Sequence, residues 1–378
     1  MAYVKVSGKK GGRKMAFSVR MKPLDVPIYE PGKPIAEIRE RYGLDAVIKL
    51  ASNENPYGPS PKVQEALLAR LSADPELWLR YPDGAARELK RALSLRWGHP
   101  AEGIAVGAGA DELIQLIALR FLADGDEAVM GELSFPMYPI ATRIAGGVPI
   151  PVPMGPEGRL DLPAMLRAIG PRTRIVWLAN PNNPTGTVFD RERWAAFLAE
   201  VPETVLVVLD EAYAEYVSDP NYPDGPAAVR RHPNVVVLRT FSKAYGLAGF
   251  RIGYALAAPE VVRELERVRK PFNTSAVAQL AATLALEDEA HVAFVREANR
   301  KARAALRQAL EARGFRPYPS ETNFLYLPHD DGRGLATRLE AAGVIVRPVP
   351  GGIRVSVGTE AENARLLAAL DALEGRRR

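Results

Sequence analysis

The 378-residue chain reads as an α/β protein: a large domain on a mainly parallel sheet with helices on both faces, followed by a smaller α+β domain. Three observations predict this. From about residue 104 the chain repeats a short apolar strand, a polar loop and an apolar-periodic helix. Residues 204–209, TVLVVL, form a continuous β-branched and leucine run, the composition of a parallel strand covered on both faces. Beyond residue 273 the order changes to two helices and then strand, helix, strand, strand, helix, which marks a separate small unit.

In chain order, residues 1–20 are basic and glycine-containing, without the apolar core of a secretory signal. They are read as a disordered tail or an upstream start, with Met15 and Met21 as alternative first residues. Residues 23–34 are proline-rich and extended, with Tyr29 as their one large aromatic. Together with a short helix at 35–42 they form an arm, 21–45, expected to pack on the small domain. A strand at 47–51 opens the large domain, taken as 46–272, and runs into SNENPYGPSP, too proline-broken for regular structure. Helices at 63–71 and 85–97 flank the Tyr81-Pro82-Asp83-Gly84 turn. Next come a strand at 104–106, the turn GAGADE at 107–112, and a helix at 113–121. Strands at 128–130, 148–152 and 175–179 follow, the last entering NPNNPTG. The strand at 204–209 ends in Asp210, another lies at 235–238, and a helix at 259–270 closes the domain. The small domain, 273–378, takes helices at 276–286, 291–313 and 334–342, strands at 323–327, 344–346 and 353–357, and a last helix. Thr359 and Glu362 form the capping box of that helix.

Composition removes several function classes. The absence of cysteine excludes disulfides, thiolate metal sites and cysteine nucleophiles, and no metal is expected. No apolar run approaches a membrane span, and a reducing cytoplasm fits. A net charge of +5, with Lys/Arg interleaved with Asp/Glu, leaves no nucleic-acid footprint, and Arg376, Arg377 and Arg378 read as a solvated end.

The chemistry centres on Lys243. It follows an apolar strand and the hydroxyl-bearing Thr240 and Ser242, and it is the only lysine between Lys90 and Lys270 in a chain that writes most of its positive charge as arginine. A lone lysine at a strand end is ordinarily a solvated charge. An amine retained where arginine is the rule suggests chemistry that a guanidinium cannot do, and a Schiff base is the obvious case. Thr240, Ser242 and Arg251 supply hydroxyls and a guanidinium suited to a phosphate monoester, so lysine and cradle together point to pyridoxal phosphate. GAGADE at a helix start adds free amides and a positive dipole end. Ligands of open parallel sheets bind at the carboxyl ends of strands, so Asn180, Asp210 and 240–243 are expected to share one crevice.

Lys243 in TFSKAYGLAGFRIGY, Asp210 in VLDEAY, Asn183 in NPNNPTG, and GAGADE resemble, in order and spacing, the fold-type I pyridoxal-phosphate aminotransferases. YEPGKP, SNENPYGPSP, RYPDG and RVSVGTEAEN are similar to the histidinol-phosphate aminotransferase family, and the likeness runs from about Lys22 to the C-terminus. The resemblance implies that Lys243 is the Schiff-base lysine and proton shuttle. Asp210 would face the pyridinium nitrogen, where a carboxylate keeps the ring protonated and electron-accepting. Asn183 and Tyr213 would hydrogen-bond the ring oxygen, and Phe135 would stack on the ring. Ala110, Asp111, Thr240, Ser242 and Arg251 would hold the phosphate, and Asn55 or Tyr57 would reach the neighbour's site in a homodimer.

On the substrate side the resemblance gives Arg354 as the α-carboxylate fork, Arg347 as the substrate-phosphate ligand, and Tyr29 and Asn323 as lining residues. It implies transfer from L-histidinol phosphate to 2-oxoglutarate. An aromatic amino-acid aminotransferase is the near alternative. A threonine-phosphate decarboxylase and a non-catalytic cofactor-binding regulator are further ones. One departure stands out: only residues 348–353 separate Arg347 from Arg354, where the family carries a longer segment, so the substrate wall is expected to be short.

Overall fold

The computed structural model describes residues 2–10, 13–21, 26–28 and 32–375. Its larger sheet has seven strands in the order Ile104–Gly107, Gly253–Leu256, Val235–Thr240, Leu206–Asp210, Thr173–Ala179, Glu127–Gly131, Val148–Val152. Neighbours pair in parallel except Gly253–Leu256, which runs antiparallel to both strands beside it. That strand has no counterpart in the sequence reading: four residues ending in an alanine-rich run leave too little periodicity to detect.

Alternation along the strands separates two cores. Val176, Val207 and Val237 join one, with Leu89, Phe197 and Ala282, while Trp177, Val208 and Leu238 join the other, with Leu113, Ile117 and Tyr138. Helices therefore cover both faces. Several of these helices were not foreseen: Met137–Ala145, Arg191–Glu200 and Gly225–Arg231, the last two capped by the Asp190 and Asp224 side chains.

The smaller sheet runs Phe324–Pro328, Gly352–Ser356, Val344–Val349, Ile48–Leu50. Here the expected boundary at residue 46 is corrected, because Ile48–Leu50 pairs in parallel with 344–346 and Leu50 lies in the small core. The boundary at 273 shifts too. Helix Ala276–Leu286 buries Ala278, Ala281, Ala282 and Ala285 in the large core, so the break at 271–275 is a loop within that unit. The following helix, Glu289–Glu311, spans the junction: Val295 packs with Tyr213 and Phe324, Leu306 and Leu310 with the small core. The capping box at its expected place holds, with the Thr359 amide donating to Glu362 Oε2 at 2.8 Å.

The tail is the other correction. Ala2–Lys10 and Arg13–Met21 pair as an antiparallel ribbon instead of remaining irregular. Two alternating runs around Gly11-Gly12 were the available signal, since such a pair suits a two-residue hairpin connection. Tyr29 lies outside the described residues.

The loop after Val235–Thr240 is fixed by close backbone approach. Gly246 has φ +71°, and a Cβ there would overlap the Gly58 backbone and come within 2.5 Å of Pro59 N. Gly246→Ala should therefore destabilise the fold by roughly 1–2 kcal/mol or more and displace Lys243. Urea unfolding of wild type and variant checks this, and equal midpoints would contradict it.

Candidate active site

The carboxyl ends of three central strands bring Ala179, Asp210 and Thr240 to one edge of the sheet, where Ala179 and Asp210 are register partners. With the small-domain hairpin they enclose a cavity of about 210 Å³. Of the residues singled out from the sequence, it is lined by Ala110, Asp111, Phe135, Asn183, Asp210, Tyr213, Thr240, Ser242, Lys243, Arg251, Arg347 and Arg354.

Lys243 reaches into the cavity and donates from Nζ to Ser52 O at 3.1 Å. Desolvation first, and the Arg354 guanidinium second, push its amine down to about 8. Asp210 is buried, and burial pushes its carboxyl up, opposed by two donors: Tyr138 Oη at 2.8 Å and the Ala212 amide at 3.0 Å. Tyr138, itself buried and stacked on Trp177, thus fixes one carboxylate oxygen. Tyr213 Oη accepts from Asn53 Nδ2 at 2.9 Å, and burial raises its hydroxyl pKa.

At the other end, helix Ala110–Phe121 starts at Gly109 without a side-chain cap, which leaves first-turn amides for a ligand. A Cβ on Gly109 would stand 2.5 Å from Arg251 Nη2, so the guanidinium lies directly over the turn. Arg251 Nη1 donates to Ser242 Oγ at 3.3 Å, and Thr240 Oγ1 donates to the same oxygen at 3.0 Å. Asp111 Oδ1 is buried without a hydrogen-bond partner, and burial raises the carboxyl against the pull of Arg251. Amides, two hydroxyls and a guanidinium around one small volume suit a phosphate monoester. A buried carboxylate beside an amine with lowered pKa suits a cationic ring carrying an aldehyde.

The two remaining arginines arrive together. Val344–Val349 and Gly352–Ser356 form a tight hairpin in which Arg347 and Arg354 are cross-strand partners. The short segment therefore sets both arginines side by side on the cavity wall. Arg354 donates from Nη1 to Asn183 Oδ1 and from Nη2 to Ala51 O, each at 2.6 Å.

Three candidates do not line the cavity of their own chain. Asn323 is buried, and its amide donates to Asn53 O at 3.0 Å, so it braces the 53–54 loop from behind the cavity wall. Asn55 donates to Ala244 O at 3.0 Å and to Gly58 O at 3.1 Å, which ties its loop to the lysine loop. Tyr57 packs edge-on against Phe294 outside the cavity. Conversely, Asn53, Ser52 and Tyr138 belong to the site and were missed. Asn53, at φ +55°, sat in plain view in SNENPYG, whereas nothing in the sequence marks Tyr138 as a partner of Asp210. Among the described residues no group of His, Asp or Glu could hold a metal ion, and no helix is long and apolar enough to cross a membrane.

The family model described as aminotransferase class I and II matches residues 45–370. The chain belongs to this family. A histidinol-phosphate aminotransferase of Anaeromyxobacter sp. (strain Fw109-5) is 47% identical over 92% of this aminotransferase and 96% of the relative. One of Moorella thermoacetica is 44% identical over 92% and 90%. In structure, histidinol-phosphate aminotransferase from Sinorhizobium meliloti, in complex with pyridoxal-5'-phosphate, superimposes with a TM-score of 0.87 at 31% identity, covering 95% of this chain and 98% of that one. An aspartate aminotransferase double mutant from Thermus thermophilus gives 0.80 at 28% identity, over 89% and 94%. The fold is thus the fold-type I aminotransferase fold.

The lowered lysine pKa has a definite sign. Between about 8 and 10.5 the folded aminotransferase has released a proton that the unfolded chain still holds, so this group's contribution to stability rises with pH in that window. Labelling of Lys243 in the cofactor-free protein should accordingly rise through about pH 8, and Arg354→Met should move the midpoint upward. Peptide-resolved labelling with an amine reagent checks both, and a midpoint near 10.5 in the wild type would contradict the assignment.

Proposed function

We propose that this aminotransferase transfers the amino group of L-histidinol phosphate to 2-oxoglutarate, giving imidazole-acetol phosphate and glutamate in histidine biosynthesis, with pyridoxal phosphate as cofactor. The observation that carries the reading is the hairpin that sets Arg347 and Arg354 as cross-strand partners on the wall of the cavity that Lys243 lines. Two guanidiniums set side by side on the cavity wall suit an anionic group. Both substrates bring one: a phosphate on the donor, carboxylates on the acceptor. The names of the relatives support the same donor.

Pyridoxal phosphate, when bound, supplies an aldehyde carbon for an amine and a ring that accepts electron density from the substrate Cα. Its phosphate would be held by the first-turn amides of Ala110 and Asp111, the hydroxyls of Thr240 and Ser242, and Arg251. Asp210 would hold a proton at the ring nitrogen, with Tyr138 and the Ala212 amide keeping the carboxylate in place. Asn183 and Tyr213 would donate toward the ring oxygen, and Phe135 would cover one ring face. Lys243 Nζ, able to lose its proton near neutral pH, would take the Cα proton and return it one atom away. Arg354 would fork the acceptor's α-carboxylate and Arg347 would meet the donor phosphate.

The reading includes a homodimer with shared sites and a cytoplasmic location. Tyr57 turns away from its own cavity, and Trp78, Leu79, Tyr81 and Phe272 stand exposed, with Tyr81 stacked on Phe272, an apolar strip suited to a second copy. Asn55 holds the Tyr57 loop in place for that contact.

A half-reaction tests the donor. Cofactor-loaded protein mixed with histidinol phosphate, without keto acid, should lose its visible absorbance far faster than with phenylalanine. Faster bleaching by phenylalanine would make it an aromatic aminotransferase instead. Arg354→Ala should weaken the transition state for histidinol phosphate in this assay, and for 2-oxoglutarate in the reverse half-reaction started from the amino form of the cofactor, by about 2–5 kcal/mol each.

A further inference from the structure

One buried guanidinium lies just behind the cavity and takes no part in the chemistry described so far. Arg239 is 8% exposed, and its fork donates to Glu211 Oε2 from Nε at 2.9 Å and from Nη2 at 2.6 Å. Nη1 donates to Glu215 Oε1 at 3.0 Å, and the guanidinium carbon sits 4.6 Å from the centre of the Trp97 ring. Glu211 is fully buried, and Tyr222 Oη donates to its other oxygen at 3.4 Å and also to Asn180 O. Space for this carboxylate depends on Gly225, where a Cβ would come within 2.6 Å of Glu211 Oε1.

The positions of these groups in the chain give the cluster its meaning. Side chains of a strand alternate between faces, so Glu211 follows Asp210 and Arg239 precedes Thr240 on the side opposite the cavity. Glu215 comes two residues after Tyr213. One guanidinium therefore joins the segment that carries Asp210 and Tyr213 to the segment that carries Thr240, Ser242 and Lys243. Tyr222 adds the third strand end at Asn180, which leads to Asn183. A buried ion pair is a poor source of net stability, because desolvation of both partners offsets their attraction, and apolar side chains of similar volume would serve as well. What an Arg fork supplies and an apolar contact does not is fixed geometry between the parts it binds.

We propose that Arg239 is a positioning residue for transamination: through Glu211 and Glu215 it sets the register of the Asp210 and Tyr213 segment against the Lys243 segment. This rests on the cofactor-dependent reading above but not on which donor is used. The test compares wild type, Arg239→Lys, which keeps the charge without the fork, and Glu211→Gln, which keeps the shape and one acceptor without the charge. Two readouts are taken on holoenzyme: the pH midpoint of the cofactor absorbance without substrate, and kcat and KM with histidinol phosphate.

Both variants should retain cofactor, move the absorbance midpoint, and lose about tenfold or more in kcat with KM little changed, because small misplacements of reacting groups cost rate. An unchanged midpoint and kcat with only a lower melting temperature would overturn the proposal and leave Arg239 a structural residue. Arg239→Met strands two buried carboxylates and is expected to fold poorly, so it is paired with Glu211→Met and Glu215→Gln in one variant. If that variant folds with wild-type midpoint and kcat, the proposal also fails. The absorbance titration needs no donor, so a wrong donor assignment would show in the wild-type half-reaction and leave this comparison standing.

Discussion

Removing the Lys243 amine from water, close to guanidinium groups, is the constraint on which the rest of the site depends. Desolvation and the charge of Arg354 both disfavour the ammonium form, which brings its pKa to about 8. Oxygen acceptors of the surrounding loops orient the neighbouring guanidiniums. Arg354 donates to Ala51 O and Asn183 Oδ1, and Arg251 to Ser242 Oγ and Ala248 O. Three arginines, Arg251, Arg347 and Arg354, line the cavity, which suits anionic ligands.

Two sheets build that environment. The large sheet delivers Ala179, Asp210 and Thr240 at adjacent strand ends, which the parallel topology guarantees once the strands are in order. The small sheet delivers Arg347 and Arg354, and it is tied to the large unit by the 52–54 loop. There Asn53 donates to Tyr213 Oη at 2.9 Å, accepts from Ser356 Oγ at 2.9 Å, and receives Asn323 at its backbone oxygen. A shift of the small sheet would therefore be felt at both the arginines and Tyr213.

Much of this was legible in the sequence, and the rest was hidden for physical reasons. Lys243, Asp210, Asn183 and the GAGADE turn stand out because strand, loop and helix signals put them at strand ends or a helix start, and the structure gathers them in one cavity. Arg347 and Arg354 were visible as residues, but their pairing came only from the hairpin register. Tyr138, Asn53 and Arg239 act through contacts distant in sequence, for which local periodicity holds no information. The Ile48–Leu50 strand was read as part of the wrong sheet for the same reason: strand propensity says nothing about a partner at 344–346. Helix Ala276–Leu286 was assigned to the small domain because the turn-rich break before it looks like a boundary, whereas its alanine face packs into the large core.

The most direct test of the account is to trap the cofactor on the chain that holds it. Protein loaded with pyridoxal phosphate is reduced with borohydride, digested and mapped by mass spectrometry. A single modified peptide carrying the cofactor on Lys243 is the predicted result. Modification spread over Lys49, Lys62 and other lysines, with Lys243 untouched, would contradict the assignment of this amine as the centre of the site.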